Sequence, residues 1–293
     1  MVKVLSGNKN IKPIIILGAG RSGTKFLRDT LLYSEEVCAV PYDINYIWRY
    51  GNEKLTHDEL NPDLITPKIS QYIRNTILKL ATKQKSDANV LLEKTVSNCL
   101  RVDFVNTIFP EAKFIHLIRD GRAVVESANR MWQTPPETRY LLKKLRYFPW
   151  KNYKYAFNYI ENIVKGKYNS KGGLKVWGPR YQGIQKDIET IDLIEVCAIQ
   201  WKNCVLKSLD SLALIPKSRV LTIKYEDFVL SSKCLEQVIE FIELENSQEI
   251  YKNFQLNIEK SNVNKWQNSM NASEIEILNN VLGELLEQLG YKI

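Results

Sequence analysis

Residues 14–32 read IIILGAGRSGTKFLRDTLL, an apolar run followed by three glycines and a segment with helical spacing. A continuous apolar run that ends in glycines is typical of a strand buried on both faces of a parallel sheet. A glycine-rich turn between such a strand and a helix presents backbone N–H groups and the positive helix end to an anion. The stretch therefore predicts a strand, an anion-binding loop and a helix.

The loop by itself is compatible with three kinds of anion. Gly18, Gly20 and Gly23 spell G-x-G-x-x-G, the dinucleotide-binding fingerprint, and Asp43 stands about 20 residues further on, where that motif needs an acid. The spacing also approaches a Walker A loop, but here Thr24-Lys25 reverses the order of lysine and hydroxyl residue. A third interpretation takes residues 21–24, RSGT, as one cation followed by small residues at a helix start.

Strand and helix patterns alternate along the rest of the chain. Apolar runs predict strands at 12–17, 37–40, 88–94, 113–120 and 219–223. Helical spacing predicts helices near 23–33, 66–84, 104–108, 123–132, 188–213, 231–243 and 273–289. This order favours an α/β fold with a P-loop-like parallel sheet flanked by helices. We expect one domain over 1–293, with 133–187, rich in Tyr, Trp, Lys and Asn, as an inserted acceptor or lid region.

The amino-acid composition indicates the charge of the ligand and the cellular compartment. The chain has 293 residues, 44% of them hydrophobic, and a formal net charge of +8, which suits an anionic ligand. Five cysteines without a C-x-x-C pair indicate buried thiols in a reducing compartment. Because no signal-peptide core and no long apolar run occurs, we expect a cytoplasmic protein without a transmembrane segment. Two histidines and no ligand-spaced cluster argue against a metal site.

A second motif distinguishes between the three interpretations of the loop. Residues 114–127, FIHLIRDGRAVVES, place Arg119 at a strand end and Ser127 eight positions later on the next helix. Together with the RSGT loop, this pair resembles the motifs of sulfotransferases that use 3′-phosphoadenosine-5′-phosphosulfate (PAPS). In that family the arginine and serine hold the 3′-phosphate, which neither NAD nor ATP carries. The resemblance implies a nucleotide with a 3′-phosphate.

Shorter segments resemble the same family in the same order along the chain. LLEKT (91–95) is similar to the E-K-T segment of heparan-type and bacterial sulfotransferases, and TIKYEDF (222–228) to the Y-E-D segment. KSNVNKW (260–266) resembles the loop that closes over the nucleotide, and RDGRA (119–123) is nearest to the tyrosylprotein type. The resemblance covers roughly 12–132 and 215–293. Residues 133–187 are not matched well enough to name an acceptor.

The resemblance also implies an activity and a set of site residues. The activity is sulfuryl transfer from PAPS, without a metal ion, to a hydroxyl or amine of a sugar, lipid, small metabolite or tyrosine, leaving 3′,5′-bisphosphoadenosine. Arg21 and Lys94 would offset charge on the leaving oxygen. Asp43, where the family has the longer Glu, would take the acceptor's proton. The nucleotide-binding residues would be Gly20, Arg21, Ser22, Gly23, Thr24, Lys25, Arg119, Ser127, Tyr225, Ser261 and Lys265.

Two other classes of protein stay open at this point. A P-loop kinase is disfavoured by the Thr24-Lys25 order, and Asp120, its candidate magnesium ligand, is expected instead to cap a helix. A basic nucleotide- or nucleic-acid-binding protein without turnover fits the charge, but no nucleic-acid-binding motif supports it. His116 lies within an apolar strand pattern and is expected in the core. Residues 177–180, WGPR, fit either an acceptor contact or a structural loop.

Overall fold

The computed structural model describes residues 11–83, 85–134 and 176–293. Within these ranges, five strands form one sheet in the order β2-β3-β1-β4-β5, and every neighbouring pair is parallel. The strands are β1 (Lys12–Leu17), β2 (Val37–Ala39), β3 (Val90–Glu93), β4 (Lys113–Ile118) and β5 (Val220–Lys224). The expected α/β fold with a parallel sheet is confirmed. The single-domain organisation stays a prediction, and most of the predicted insertion lies outside the described residues.

Helices connect the strands and cover the sheet. Those in the described ranges are α1 (Thr24–Leu31), α2 (Asn45–Trp48), α3 (Pro67–Thr82), α4 (Val102–Ile108), α5 (Gly121–Gln133), α6 (Ile184–Thr190), α7 (Leu193–Leu212), α8 (Tyr225–Leu230), α9 (Ser232–Ile242), α10 (Gln248–Asn257), α11 (Trp266–Ser269) and α12 (Ala272–Gln288). The sequence did not predict α10, which buries only Ile250 and Phe254 and so has a sparse apolar pattern. No helix of these ranges is both long and apolar enough to cross a membrane.

Alternate residues of β1 enter two hydrophobic cores on opposite faces of the sheet. Ile15 and Leu17 pack in the core that includes residues of α3, α4, α5, α7 and α12. Ile14 and Ile16 pack in the other, with residues of α1, α8, α9 and α10. All four are at most 1% exposed. This two-sided burial explains why the strand reads as an uninterrupted apolar run.

Parallel strands bring the segments that follow them to one edge of the sheet. The glycine loop follows β1, Asp43 follows β2, Lys94 follows β3, Arg119 follows β4 and Tyr225 follows β5. The chain passes from β1 to β2 and β3 on one side of β1, and then to β4 on the other. Ligands of open α/β sheets bind at the carboxyl ends of the strands where the order reverses in this way. The topology thus gathers motifs that are far apart in sequence.

Candidate active site

The glycine loop after β1 has a backbone that only particular residues can adopt. Gly23 has φ of 89° and Arg21 has φ of 75°, both in the left-handed region. A Cβ on Gly23 would lie 2.4 Å from the ring of Tyr225, so glycine is required there for space as well as conformation. The N–H of Ser22 closes the turn by donating to the Ala19 carbonyl at 3.1 Å. The first N–H groups of α1 lack helical partners and are available to an anion.

Arg21 and Ser127 are in direct contact although 106 residues separate them. Nε of Arg21 donates a hydrogen bond to Oγ of Ser127 at 2.8 Å. Arg21 is exposed in the loop, whereas Ser127 is buried on α5. The two motifs that the sequence suggested for opposite ends of a nucleotide therefore belong to one site. The contact of Ser127 is with Arg21 of the loop rather than with Arg119 of its own motif.

Arg119 joins the glycine loop to the C-terminal third of the chain. Its Nη1 donates to the carbonyl of Arg21 at 3.0 Å, and its Nη2 donates to the carbonyl of Asn262 at 2.6 Å. The guanidinium carbon lies 4.4 Å from the ring centroid of Tyr225, a cation–π contact. Arg119 is 9% exposed. The Arg119 side chain thus holds the glycine loop and the turn at Asn262 together.

Two buried polar atoms of this region have no partner among the described residues: Oγ of Ser22 and Nε of Arg119. An unsatisfied buried polar group costs about 1–3 kcal/mol. Groups of this kind call for an explanation, and an absent ligand is one of the established ones. Both atoms belong to residues that the sequence assigned to the nucleotide.

The other predicted nucleotide residues surround the same edge of the sheet with different exposure. Thr24 is buried at the first position of α1, and Tyr225 is buried beneath Arg119. Ser261 is exposed in the turn at Lys260–Asn262, whose carbonyl binds Arg119. Lys25 and Lys265 are exposed, and neither side chain has a hydrogen bond or ion pair within the described ranges. The structure thus joins Tyr225 and the Ser261 turn to the loop, and leaves these two lysines without polar contacts to it.

Asp43 and Lys94, predicted as base and cation, lie side by side. Nζ of Lys94 is 4.0 Å from Oδ2 of Asp43. The two carboxylate oxygens of Asp43 also accept backbone hydrogen bonds, each at 3.2 Å, from the N–H groups of Asn45 and Val96. Burial lowers the pKa of Lys94, and the neighbouring Asp43 carboxylate opposes that shift. A carboxylate in fixed orientation beside an ammonium can take up a proton while the ammonium offsets negative charge.

Two further titratable groups of the sheet, Glu93 before Lys94 and His116 on β4, are fully buried. Burial raises the pKa of Glu93 to about 7, and the hydrogen bond donated by Thr95 Oγ1 at 2.5 Å opposes this shift. Nδ2 of Asn98 donates to the other oxygen of Glu93 at 2.7 Å. Burial lowers the pKa of His116 to about 4, so its imidazole is neutral near pH 7. His116 is 1% exposed, which confirms it as a core residue. Since Glu93 is 0% exposed, neither group is open to an acceptor.

Asp120 caps a helix, as the sequence predicted. Its Oδ1 accepts from the backbone N–H of Arg122 at 2.9 Å, and its Oδ2 pairs with Nη2 of Arg122 at 2.7 Å. A carboxylate engaged in this way is not a free magnesium ligand. In the part of the chain that the structure describes, no group of three His, Cys, Asp or Glu side chains could hold a metal ion.

The WGPR segment packs directly on the glycine loop. A Cβ on Gly20 would lie 3.1 Å from Cη2 of Trp177, so the indole covers the residue before Arg21. Nε2 of Gln200 donates to the carbonyls of Trp177 and Pro179 at 2.9 and 2.8 Å and holds the segment from behind. Sequence reasoning left this segment undecided and missed Gln200. No local pattern marks a glutamine that acts on a segment more than 20 residues away.

Comparisons with known proteins agree on one family. Residues 13–157 match the family model described as "Sulfotransferase family". The protein-tyrosine sulfotransferase 1 of Danio rerio is 32% identical over 130 residues, which cover 41% of this chain and 36% of that protein. The protein of the same name from Homo sapiens is 28% identical over 135 residues, covering 43% of this chain and 36% of that protein. The alignments thus span little more than a third of each relative.

Solved structures resemble this chain over almost its whole length. The sulfotransferase domain of the curacin biosynthetic pathway has a TM-score of 0.56 and 14% identity, with 97% of this chain and 99% of that chain covered. The sulfotransferase domain of the Synechococcus PCC 7002 olefin synthase has a TM-score of 0.53 and 16% identity, with 97% and 96% covered. At these identities the likeness shows a shared fold.

Proposed function

We propose that this chain, whose residues 13–157 match the sulfotransferase family model, transfers a sulfuryl group from PAPS to an acceptor hydroxyl or amine. The observation that carries the proposal is the hydrogen bond between Arg21 and Ser127, with Arg119 bound to the Arg21 carbonyl. It joins a loop suited to a 5′-phosphosulfate to a pair suited to a 3′-phosphate. A kinase or a nicotinamide-dependent enzyme has no use for the second element.

Residues of the loop supply the donor site that this proposal needs. The free N–H groups at the start of α1 and the guanidinium of Arg21 would hold the 5′-phosphosulfate, with Thr24 beside them. Arg119 and Ser127 would hold the 3′-phosphate. The unpartnered Oγ of Ser22 and Nε of Arg119 fit an anion with several acceptor oxygens, because each would gain the hydrogen bond that it lacks.

Asp43 and Lys94 supply the chemistry on the other side of the reacting centre. Asp43 would accept the proton of the acceptor hydroxyl or amine as the new bond to sulfur forms. Lys94, with Arg21, would stabilise the negative charge left on the bridging oxygen when the bond from sulfur to that oxygen breaks. Positioning and charge stabilisation account for this kind of in-line transfer, much as in phosphoryl transfer. The ion pair at 4.0 Å favours a charged Lys94 despite its burial.

The chemical group of the proposed acceptor is a hydroxyl or an amine. Sugars, lipids, small metabolites and tyrosine are all candidates, and the names of the matched relatives make a tyrosine hydroxyl the first to test. We propose a cytoplasmic enzyme that needs no metal ion, because cationic side chains fill the role that Mg²⁺ has in kinases.

The experiment is a transfer screen with PAPS labelled at sulfur against phenolic peptides, sugars and fractionated lipids. We expect label in at least one class of acceptor, undiminished by EDTA. Arg21→Ala is the control that should abolish transfer in an otherwise folded protein. Loss of activity with EDTA and recovery with Mg²⁺, or phosphate transfer from ATP in place of sulfuryl transfer, would contradict the proposal.

The nucleotide preference gives an independent test that needs no acceptor. Bisphosphoadenosine should raise the melting temperature far more than ATP, NAD or NADP, since only it carries both phosphates in the required places. At 100 times its dissociation constant a ligand stabilises a protein by about 2.7 kcal/mol. A larger shift with NAD than with bisphosphoadenosine would favour the dinucleotide interpretation of the loop.

A further inference from the structure

Asp58 is a buried carboxylate outside every motif that the sequence suggested. It is 0% exposed, and its Oδ1 pairs with Nη1 of Arg49 at 2.8 Å. Burial by itself would raise the pKa of Asp58, but Arg101 and Arg49 hold it below its ordinary value. Removing a carboxylate from water costs several kcal/mol unless hydrogen bonds and charges compensate. The buried Asp58 carboxylate therefore needs charged and hydrogen-bonding partners to compensate for its burial.

The partners of Asp58 come from three separate segments of the chain. Nδ2 of Asn45 donates to Oδ1 at 2.9 Å, and Oγ of Ser97 donates to Oδ2 at 2.9 Å. The backbone N–H of Arg180 also donates to Oδ2 at 2.9 Å, and the N–H of Asp58 donates back to the Arg180 carbonyl at 2.7 Å. One carboxylate thus connects the start of α2, the turn after Lys94 and the WGPR segment.

Two of these segments also hold the proposed base. The backbone N–H of Asn45 binds one oxygen of Asp43, and the N–H of Val96, the neighbour of Ser97, binds the other. The Asn45 side chain is fixed further by Nη2 of Arg101 at 2.7 Å. Both hydrogen-bond donors that orient Asp43 therefore belong to segments anchored on Asp58.

The third segment carries the indole that covers the glycine loop. Trp177 lies three residues before Arg180 and contacts Gly20. Asp58 and Gln200 hold this segment at its two ends, through Arg180 and through Trp177. Trp177, which contacts the glycine loop, and Asp43, the proposed base, are therefore both held by segments that bind Asp58.

We propose that Asp58 is a positioning residue for sulfuryl transfer, which sets Asp43, the turn after Lys94 and Trp177 relative to the donor loop. The inference rests on the proposed function above. Asp58 has no hydrogen bond or ion pair with Arg21, Arg119 or Ser127 in the described residues. Its effect should therefore fall on turnover and leave nucleotide binding intact.

The main test is Asp58→Asn, which keeps the shape and removes the charge. We expect the turnover of PAPS with the acceptor identified in the screen to fall about 10²-fold, the cost of a misplaced reacting group. The dissociation constant of bisphosphoadenosine should stay within about twofold of the wild-type value, since the donor residues are untouched. Glu111→Gln is the control, because Glu111 pairs with Arg74 and contacts none of Asn45, Ser97 and the 177–182 segment in the described residues. It should retain wild-type turnover.

A double-mutant cycle separates positioning from general destabilisation. If Asp58 acts through Asp43, Asp58→Asn should slow the Asp43→Asn enzyme much less than the wild-type enzyme. Ser97→Ala removes a single hydrogen bond to Asp58 and serves if Asp58→Asn does not fold. We expect it to lower turnover about two- to tenfold. Unchanged turnover in both variants, or effects that simply add to that of Asp43→Asn, would overturn the proposal.

Hydrogen exchange by mass spectrometry tests the anchor without any acceptor. In Asp58→Asn, or in Ser97→Ala as the milder variant, residues 43–49, 95–101 and 177–182 should exchange faster, while residues 23–31 should be unchanged. Unchanged exchange in all three segments would refute Asp58 as their anchor. Faster exchange in a protein whose wild type transfers no sulfuryl group would instead place the failure in the proposed function.

Discussion

The two sides of the candidate site differ in how their polar groups are satisfied. On the donor side, formed by Arg21, Ser22, Arg119 and Ser127, two buried polar atoms lack a partner in the part of the chain that the structure describes. On the acceptor side, formed by Asp43, Lys94 and the anchor Asp58, both carboxylates accept several hydrogen bonds from the protein itself, although Nη1 of the neighbouring Arg101 has no partner in the described residues. Under the proposed function a ligand would complete the donor side, whereas the two carboxylates of the acceptor side are already oriented by the protein. Preorganised groups are the ones that act on a transition state.

The largest expected effect is that of Asp43→Asn, which tests whether the acceptor side performs proton transfer. The change keeps the shape of the side chain but removes the proton acceptor and one of the two backbone hydrogen bonds, because an amide has a single oxygen. Loss of a general base costs about 10²–10⁴ in rate, or about 2.7–5.5 kcal/mol in transition-state stabilisation. Single-turnover transfer and bisphosphoadenosine affinity should be measured on the same protein, and the affinity should be unchanged.

Asp29→Asn is the control for that experiment. Asp29 is a nearby carboxylate on α1 whose partner is Arg28, and its loss should leave turnover near the wild-type rate. If Asp43→Asn itself turned over at a near-normal rate, Asp43 would have no part in the mechanism, and the functional contrast between the two sides would be lost.

Glu93, on the acceptor side, should make the free energy of unfolding of the protein depend on pH. The folded protein keeps a proton on Glu93 up to about pH 7, whereas the unfolded chain releases it near pH 4.5. Stability from this group is therefore complete below pH 4.5 and is lost as the pH rises through 7. The loss is roughly 3 kcal/mol for a shift of this size. Glu93→Gln should remove this loss, as measured by urea unfolding at pH 5 and pH 8.

The matched control for Glu93 lies on the donor side. Glu126, beside Ser127 on α5, pairs with Arg130 at 3.1 Å, and Glu126→Gln should keep the wild-type change in stability between the two pH values. An identical change in wild type and Glu93→Gln would mean that Glu93 is ionised in the folded protein throughout this range.

Arg119→Ala tests whether the donor side recognises a 3′-phosphate. Because Arg119 also holds the carbonyls of Arg21 and Asn262, its loss should weaken every nucleotide to some extent. Bisphosphoadenosine should lose about 1.5–3 kcal/mol more than adenosine 5′-phosphosulfate, which lacks the 3′-phosphate, because that contact is charge-assisted. Arg122→Ala is the control, since Arg122 binds Asp120 and should affect stability without altering the ratio of the two affinities. Equal weakening of both ligands by Arg119→Ala would assign Arg119 a purely structural role.

The smallest expected effect concerns the contact between the two sides. In Gly20→Ala the new methyl group would meet Trp177 at 3.1 Å, so the indole must shift slightly, at a cost of about 1 kcal/mol. We expect a modest rise in the KM of the acceptor and little change in bisphosphoadenosine affinity. Gly283→Ala, on α12, meets only the end of Ile293 and should change neither quantity. A larger effect of Gly20→Ala on the nucleotide than on the acceptor would move Trp177 to the donor side.

The strands of the sheet could be predicted from the sequence because each one is a local run of apolar residues. β1 and β4 are buried on both faces, and their apolar runs end in the glycine loop and in Arg119. The nucleotide motifs could be recognised for the same reason, since each is contiguous. That Asp43 and Lys94 would serve one site followed only from the family resemblance, because 51 residues separate the two, and their contact at 4.0 Å is a finding of the structure.

Other parts of the site could not be predicted from local patterns. Asp58 has partners that lie 9, 13, 39 and 122 residues away, and the short run THDEL gives no hint that this aspartate is buried while its neighbour Glu59 is not. Ser127 was expected to act with Arg119, but its hydrogen bond is to Arg21. Such pairings depend on how α5 packs beside the loop, which is a property of the whole fold.

Arg119 binds the carbonyls of Arg21 and Asn262, so the site depends on segments that leave the ribosome at very different times. Arg119 is 98 residues from Arg21 and 143 residues from Asn262. A ribosome thus delivers the glycine loop early, but one wall of the pocket is missing until residue 262 has emerged. Contacts between such distant residues form late in folding. Under the proposed function, a nascent chain that has released β1, β3 and β4 still lacks part of the nucleotide site, and nucleotide binding would report that the C-terminal third has docked.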